Sequence, residues 1–187
     1  MAQIDWTRRA DELAPQVLGG VLRHGPVAVR ITEVEAYRGP DDPASHAYRG
    51  PRGRAATMYG EPGRLYVYLS YGVHLAANLV CSPAGQASAL LLRAGEVLSG
   101  AEPAELATRG HQLASGPGRL GRILGLELAD DGALLGEQYD FTAPAGPVGA
   151  SECGPRVGIS VAADEPLRFW LVGEPTVSRY RRSPRAP

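Results

Sequence analysis

The alternation of apolar and polar positions along the chain predicts a sheet-rich fold. Pro26-Val-Ala-Val-Arg-Ile-Thr-Glu-Val-Glu-Ala-Tyr37 keeps the two-residue period of a strand. It sets Val27, Val29, Ile31, Glu33 and Glu35 on one face and Ala28, Arg30, Thr32, Val34 and Ala36 on the other, so an apolar face turns acidic at its end. Leu65–Tyr71 and Val73–Val80 read as two strands joined near Tyr71-Gly72, a hairpin with a tyrosine at its tip, and Ala89–Arg93 as a third strand. Ahead of them Asp5 is placed to cap a short helix over Ala10–Leu18, with Pro15 expected to break or bend it and Gly19-Gly20 to end it. Helical signals return at Pro103–Leu113 and Arg119–Leu126, the second with Ser115 as its cap. Short strands are predicted at Arg156–Val161 and Leu167–Val172.

Residues 38–63 keep neither period and read as one long loop rich in Gly and Pro. Compact domains rarely carry so long a structureless stretch unless it binds something, so the loop is itself a functional hint. Residues 179–187 form an arginine- and proline-bearing tail expected to be flexible, after one domain over residues 1–178 with no internal repeat and no dividing linker. The predicted architecture is α+β: a single domain with a curved, mostly antiparallel, open-barrel-like sheet, a protruding β-hairpin and a few packed helices.

Composition narrows the chemistry. The 187 residues, 44% of them hydrophobic, suit one compact domain. No run of eighteen apolar residues occurs, and Asp5, Arg8, Arg9, Asp11 and Glu12 rule out the apolar core of a secretory signal at the start, so an intracellular, soluble protein is expected. Cys81 and Cys153 are too few for a disulfide scaffold, and His24, His46, His74 and His111 stand well apart, so no structural zinc is expected. All 19 basic residues are arginine, an imprint of GC-rich codon usage. The absence of lysine excludes lysine Schiff-base chemistry, pyridoxal enzymes and the Walker phosphate loop. The net charge of −1 is unevenly spread. Arg49, Arg52, Arg54 and Arg64 face one acid, Glu61, and Arg168, Arg179, Arg181, Arg182 and Arg185 face Glu174, whereas Glu127, Asp130, Asp131, Glu137 and Asp140 form an acidic stretch. That asymmetry permits DNA binding.

Two groups of residues can carry chemistry. Glu33 and Glu35 point the same way from the end of a buried strand, where burial tunes a carboxylate toward general-base work. Their spacing does not say which one acts, and edge-strand surface glutamates show the same pattern. Aromatic residues make up only 6% of the chain, yet Tyr37, Tyr48, Tyr59, Tyr66, Tyr68 and Tyr71 fall between residues 37 and 71, with His46 among them and His74 beside them. Tyrosine is common in strands, but such clustering also suits a site that stacks flat rings.

Thr32-Glu-Val-Glu-Ala-Tyr-Arg-Gly-Pro-Asp-Asp-Pro-Ala-Ser-His46, Pro62-Gly-Arg-Leu-Tyr-Val-Tyr-Leu-Ser-Tyr-Gly72, Asn78 and Leu90-Leu-Leu-Arg93 together resemble the alkyladenine (3-methyladenine, methylpurine) DNA glycosylase family. Ser115-Gly-Pro-Gly-Arg-Leu, Arg156-Val-Gly and Pro166-Leu-Arg-Phe169 extend the resemblance, which runs from about residue 6 to residue 172. It implies that Glu35 is the general base that activates water, that Arg93 helps hold that water, and that the backbone carbonyl of Val157 supplies a further contact. By the same resemblance Tyr37, His46 and Tyr68 wall the pocket for an extruded base, and Asn78 crowds the purine 2-position against guanine. Tyr71 becomes a wedge entering the minor groove. Small residues along Val73-His-Leu-Ala-Ala77 and a slightly short loop between His46 and Pro62 depart from the family pattern at the places that set pocket width.

The implied activity is that of a monofunctional DNA glycosylase of base excision repair, leaving an abasic site. It would act as a cytoplasmic, nucleoid-associated monomer on double-stranded DNA containing damaged purines, with no cofactor, no metal and no membrane partner. Two other classes compete: a hydrolase of free modified nucleosides, and a non-catalytic module that binds damaged DNA. A hairpin-tip tyrosine is wasted on a free nucleoside, and a Glu–Arg pair on a passive binder.

Overall fold

The structure is a computed structural model in which residues 4–187 are described. In chain order the strands are β1 Val21–His24, β2 Val27–Tyr37, β3 Leu65–Ser70, β4 His74–Cys81, β5 Ser88–Ser99, β6 Tyr139–Thr142, β7 Ser151–Gly154 and β8 Arg168–Leu171. The α-helices are α1 Ala10–Val17, α2 Pro103–Arg109 and α3 Pro117–Ile123. The strands form one sheet in the order β3-β4-β5-β2-β1-β6, with β8 also on β2 and β7 on β8, and every strand pair is antiparallel. The sheet curls into a half-barrel, giving the α+β domain expected from the sequence. Among the described residues no helix is long and apolar enough to cross a membrane.

Strand β2 is the hub. It pairs with β5 along its length, while its other edge takes β1 at residues 27–30 and then β8 at residues 33–35. Where the partner changes, the register with β5 steps from Ile31–Gly95 to Glu33–Ala94 and then to Val34–Leu92, leaving Thr32 and Arg93 as extra, bulged residues. A bulge shifts the side-chain phase, so the strict alternation read from the sequence is corrected here. Val29 and Ile31 lie in the core, and beyond the bulge Val34 and Ala36 take over that face. Glu33 and Glu35 are thereby turned to the opposite side.

The core lies between the sheet and the helices. Leu13, Ala14 and Val17 of α1 and Leu120 and Ile123 of α3 pack with Ile31, Leu65, Leu79, Leu90 and Leu92. That packing holds α1 through Pro15, which leaves the helix unbroken, and Arg9 rather than Asp5 precedes its first turn. Asp5 instead accepts from the backbone N–H and hydroxyl of Thr7. Helix α3 comes close to β4 because Gly121 has no Cβ: one would stand 2.2 Å from the Leu75 carbonyl oxygen. Its cap is Gly116 and not Ser115, which instead bridges to Ala94. The helical signal over Pro103–Leu113 is met by α2 as far as Arg109 and then, past Gly110 at φ 46, by a 3-10 turn over Gly110–Gln112.

Residues 38–63 are more ordered than a loop. They form three 3-10 turns, Gly39–Asp41, His46–Arg49 and Gly53–Tyr59, over a second small core of Ala47, Met58, Tyr66, Val80, Ala87 and Ala89. The expected strand at Arg156–Val161 is absent, because Pro155 has no N–H to give a ladder, Arg156 turns inward and Gly158 takes φ 71. Its place on β8 is taken by β7. Residues 179–187 hold no helix or strand but make contacts: the Gly158 N–H donates to Arg181 O at 2.9 Å, and Ser183 is buried.

Candidate active site

Period two and the bulges gather polar chemistry on the sheet face away from the core. Tyr66 of β3, Asn78 of β4, Leu91 of β5, Glu35 of β2 and Arg168 of β8 are successive register partners, a single row across five strands. Above that row opens a cavity of about 480 Å³. Every residue to which the family resemblance gives a role lines it, Glu35, Tyr37, His46, Tyr68, Tyr71, Asn78, Arg93 and Val157, whereas Glu33, Tyr48, Tyr59 and His74 do not. Met58, Pro117 and Ile159 line it as well without a signal in the pattern of residues, and Arg54 reaches it from the basic stretch.

Glu35 is fully buried at the cavity wall, and three groups address its carboxylate. The Val157 N–H donates to Oε1 at 2.7 Å, the Tyr37 hydroxyl donates to Oε2 at 2.9 Å, and Arg93 Nη1 stands 3.3 Å from Oε1. The main-chain contact observed at Val157 is thus through its N–H. Loss of solvent, and after it the Glu35 charge, push the Tyr37 phenol well above its ordinary value, so it stays a protonated donor. Burial alone would lower the Arg93 guanidinium, but Glu35 and Glu33 more than offset it and hold it charged.

Glu33, on the same side of β2, does not line the cavity. Its carboxylate accepts from Arg168 Nε at 2.6 Å, Arg93 Nε at 3.0 Å, the Ser178 N–H at 2.7 Å and the Ser178 hydroxyl at 3.0 Å, and it is fully buried. A second buried pair supports the other wall. Arg156 donates to both oxygens of Asp42, at 2.5 and 2.9 Å, and to the Ala36 carbonyl at 3.0 Å. The guanidinium carbon lies 4.6 Å from the centroid of the Tyr37 ring, pinning that ring from behind. Burial raises the Asp42 carboxyl, but its bonds to Arg156 prevail and hold it below its usual value.

The aromatic lining is a connected set. His46 meets Tyr68 edge-on at 4.7 Å between centroids, and Tyr66 stacks on Tyr68 at 5.4 Å. His46 Nδ1 is 2.9 Å from the Tyr66 hydroxyl. Desolvation against the pocket wall, and then the Arg54 charge, lower the His46 imidazole below its ordinary value, which leaves it neutral near pH 7. Asn78 donates from Nδ2 to the Tyr66 carbonyl at 3.0 Å and is 4% exposed, so its amide is fixed at the floor.

At the rim Tyr71 is 91% exposed at the turn between β3 and β4. It takes φ 51 and Gly72 takes φ 70, with the Val73 N–H donating to Ser70 O at 3.1 Å. A tyrosine in the left-handed region costs about 1–2 kcal/mol and persists only where the surroundings impose it. Arg49, Arg52 and Arg54 are exposed in the segment covering the cavity. Arg168, counted with the basic C-terminal stretch, is buried on Glu33 and takes no part in that surface. Asp130 of the acidic stretch is likewise internal, accepting from Gln138 and the Tyr139 hydroxyl.

Comparison with known proteins agrees with this geometry. The family model of methylpurine-DNA glycosylase (MPG) matches residues 5–175. A protein of Frankia casuarinae named "Putative 3-methyladenine DNA glycosylase" is 53% identical over 193 residues, covering 94% of this chain and 90% of its own. Proteins of the same name from Leifsonia xyli subsp. xyli and Cutibacterium acnes are 53% and 47% identical, covering 92% and 95% of this chain and 89% and 99% of theirs. A match across nearly the whole chain, joined to a buried carboxylate in a tyrosine-lined cavity under an exposed tyrosine, leads to one conclusion: the chain belongs to the methylpurine-DNA glycosylase family.

Proposed function

We propose that this protein is a monofunctional DNA glycosylase that extrudes alkylated purines from duplex DNA and hydrolyses the N-glycosidic bond with water activated by Glu35. The bases concerned are the cationic 3-methyladenine and 7-methylguanine; ethenoadenine and hypoxanthine, neutral in DNA, would need a proton delivered as they leave. A base inside a duplex cannot be reached, so the nucleotide must be flipped out at a cost of a few kcal/mol. Tyr71, fully presented at the hairpin tip, has the size and exposure to fill the vacated stack. Alkylation at N3 or N7 makes the purine cationic, which activates it as a leaving group and favours tyrosine faces by about 0.5–2 kcal/mol.

In the chemical step Glu35 takes a proton from water as the oxygen attacks the anomeric carbon. The bond from that carbon to the base nitrogen breaks, and its electron pair leaves with the neutralised purine. Arg93 and the Val157 backbone orient the water and the carboxylate. Because the leaving group is already activated, one carboxylate is enough and no cofactor is called for. The observation that carries this reading is the fully buried Glu35 carboxylate on the wall of a cavity lined by four tyrosines and His46. With no lysine in the chain, strand cleavage through a side-chain Schiff base has no amine to start from.

The test is release of free base from duplexes carrying one defined lesion, set against the same alkylated nucleoside free in solution. Excision from the duplex, strand breaks only after mild alkali and no borohydride-trapped complex are expected. Equal turnover of the free nucleoside, or trapping on DNA, would overturn the reading.

A further inference from the structure

The segment after β8 lies mostly beyond the family-matched residues 5–175, yet it reaches the back of the site. The Thr176 hydroxyl is 2.7 Å from that of Thr32, the bulged residue of β2. Two residues on, Ser178 is buried and touches all three charges behind the cavity wall. Its N–H and hydroxyl donate to Glu33 at 2.7 and 3.0 Å, its hydroxyl oxygen accepts from Arg93 Nη2 at 3.2 Å, and its carbonyl accepts from Arg168 Nη2 at 3.0 Å. Further along, Arg181 O accepts from the Gly158 N–H, next to the Val157 N–H that holds Glu35.

We propose that Ser178 is a positioning residue for the reaction, and that the C-terminal segment from Thr176 to Arg181 is a strap that sets the attitude of Arg93 toward Glu35. A guanidinium is planar, so two anchored nitrogens fix the direction of the third. Arg93 is anchored at Nε by Glu33 and at Nη2 by the Ser178 hydroxyl, which leaves Nη1 at 3.3 Å from Glu35. Ser178 also occupies Glu33 with two donors while Arg168 supplies it with a full charge, so Glu33 does not draw Arg93 wholly to itself. With the hydroxyl gone, the guanidinium is free to rotate about its Glu33 anchor and Nη1 leaves the water site. Misplacement on the order of 1 Å at a reacting centre costs up to about 100-fold in rate.

The inference rests on the glycosylase reading, and the assay separates the two. Single-turnover excision from a lesion duplex is measured for the full chain and for Ser178→Ala, Ser178→Thr, Arg93→Ala and the Arg93→Ala/Ser178→Ala pair, together with lesion-duplex affinity and melting temperature. Ser178→Ala is expected to slow excision by about 10–100-fold with affinity within about twofold of the parent. Ser178→Thr, which keeps the hydroxyl, is expected to recover most of the rate, and in the Arg93→Ala background the serine change is expected to cost less than about twofold. Should Ser178→Ala melt below the assay temperature, Ser178→Cys, similar in volume and a weak hydrogen-bonding group, takes its place with the same expectations. A parental rate for Ser178→Ala, or an equal loss with and without Arg93, overturns the positioning role. A parent chain that releases no base refutes the glycosylase reading itself.

Discussion

Glu33 and Glu35 leave the same strand two residues apart, and the regions around them are opposites. Around Glu33 two arginines and a serine saturate the carboxylate, and nothing is left over for a substrate. Around Glu35 two neutral donors and one longer arginine contact hold the carboxylate, and one side opens to a cavity. Both are fully buried. Burial therefore does not separate a saturated carboxylate from one left open to a substrate; what separates them is whether the partners use up the lone pairs and the charge. The closed region serves the open one, since Arg93 belongs to both.

The contrast is broken most severely at the two carboxylates. Glu35→Gln should abolish the proton acceptor while keeping the shape, lowering single-turnover excision by about 10²–10⁴-fold with lesion binding retained. Its melting temperature should stay the same or rise, because a reactive buried charge is a burden on the fold. Glu33→Gln should cost mainly stability and slow excision much less than Glu35→Gln, through a loosened Arg93 anchor. Removing one partner from a buried ionic cluster leaves charge uncompensated, which costs about 3–5 kcal/mol of stability, a large share of the 5–15 kcal/mol a domain holds. Denaturant titration beside the excision assay reads both, and equal rate loss in the two variants would erase the distinction drawn here.

The open region can be sharpened at its rim. Tyr71→Ala should weaken lesion-duplex affinity by about 1–3 kcal/mol, the scale of one base stack, and leave binding to undamaged duplex nearly as it was. Since Tyr71 is 91% exposed, its removal should leave the unfolding midpoint in place. Unaltered lesion affinity would remove the wedge from the account.

Smaller effects follow from pH, and they again divide the two kinds of region. The Asp42 carboxyl, paired with buried Arg156, is held below its ordinary 3.8. The stability it contributes is present above that value and lost as pH falls through the lower folded one. Asp42→Asn should flatten that acid limb of the stability curve. His46 lines the cavity and is lowered from 6.5. Its contribution is likewise intact above 6.5 and lost as pH drops through the folded value, so the ring remains neutral at pH 7. A cationic purine should then bind with undiminished affinity from pH 8 down to about 6.5, and protonation below that should repel it. Titrating affinity against pH for a cationic and a neutral lesion base checks this: only the first should weaken through His46.

Local patterning along the chain determines several things about this protein by itself. Alternation over residues 26–37 and 65–80 produces the long strand and the hairpin, because the two-residue side-chain period is a property of the extended backbone. The tyrosine cluster between 37 and 71 marks the segment that lines the cavity, and the lack of lysine limits the chemistry whatever the fold. Short β1, β6 and β7 escaped, since each holds only one or two apolar residues among polar or glycine neighbours, whereas the equally short β8 carries Phe169-Trp170-Leu171 in a row. The division of labour between Glu33 and Glu35 belonged to tertiary structure. It depends on bulges at Thr32 and Arg93 that form only when β2 meets β5, β1 and β8, and on partners 60, 135 and 145 residues away in the chain. Local periodicity carries the phase of a strand only while its pairing is regular, and the environment of a buried charge is assembled from segments that meet only in the folded chain.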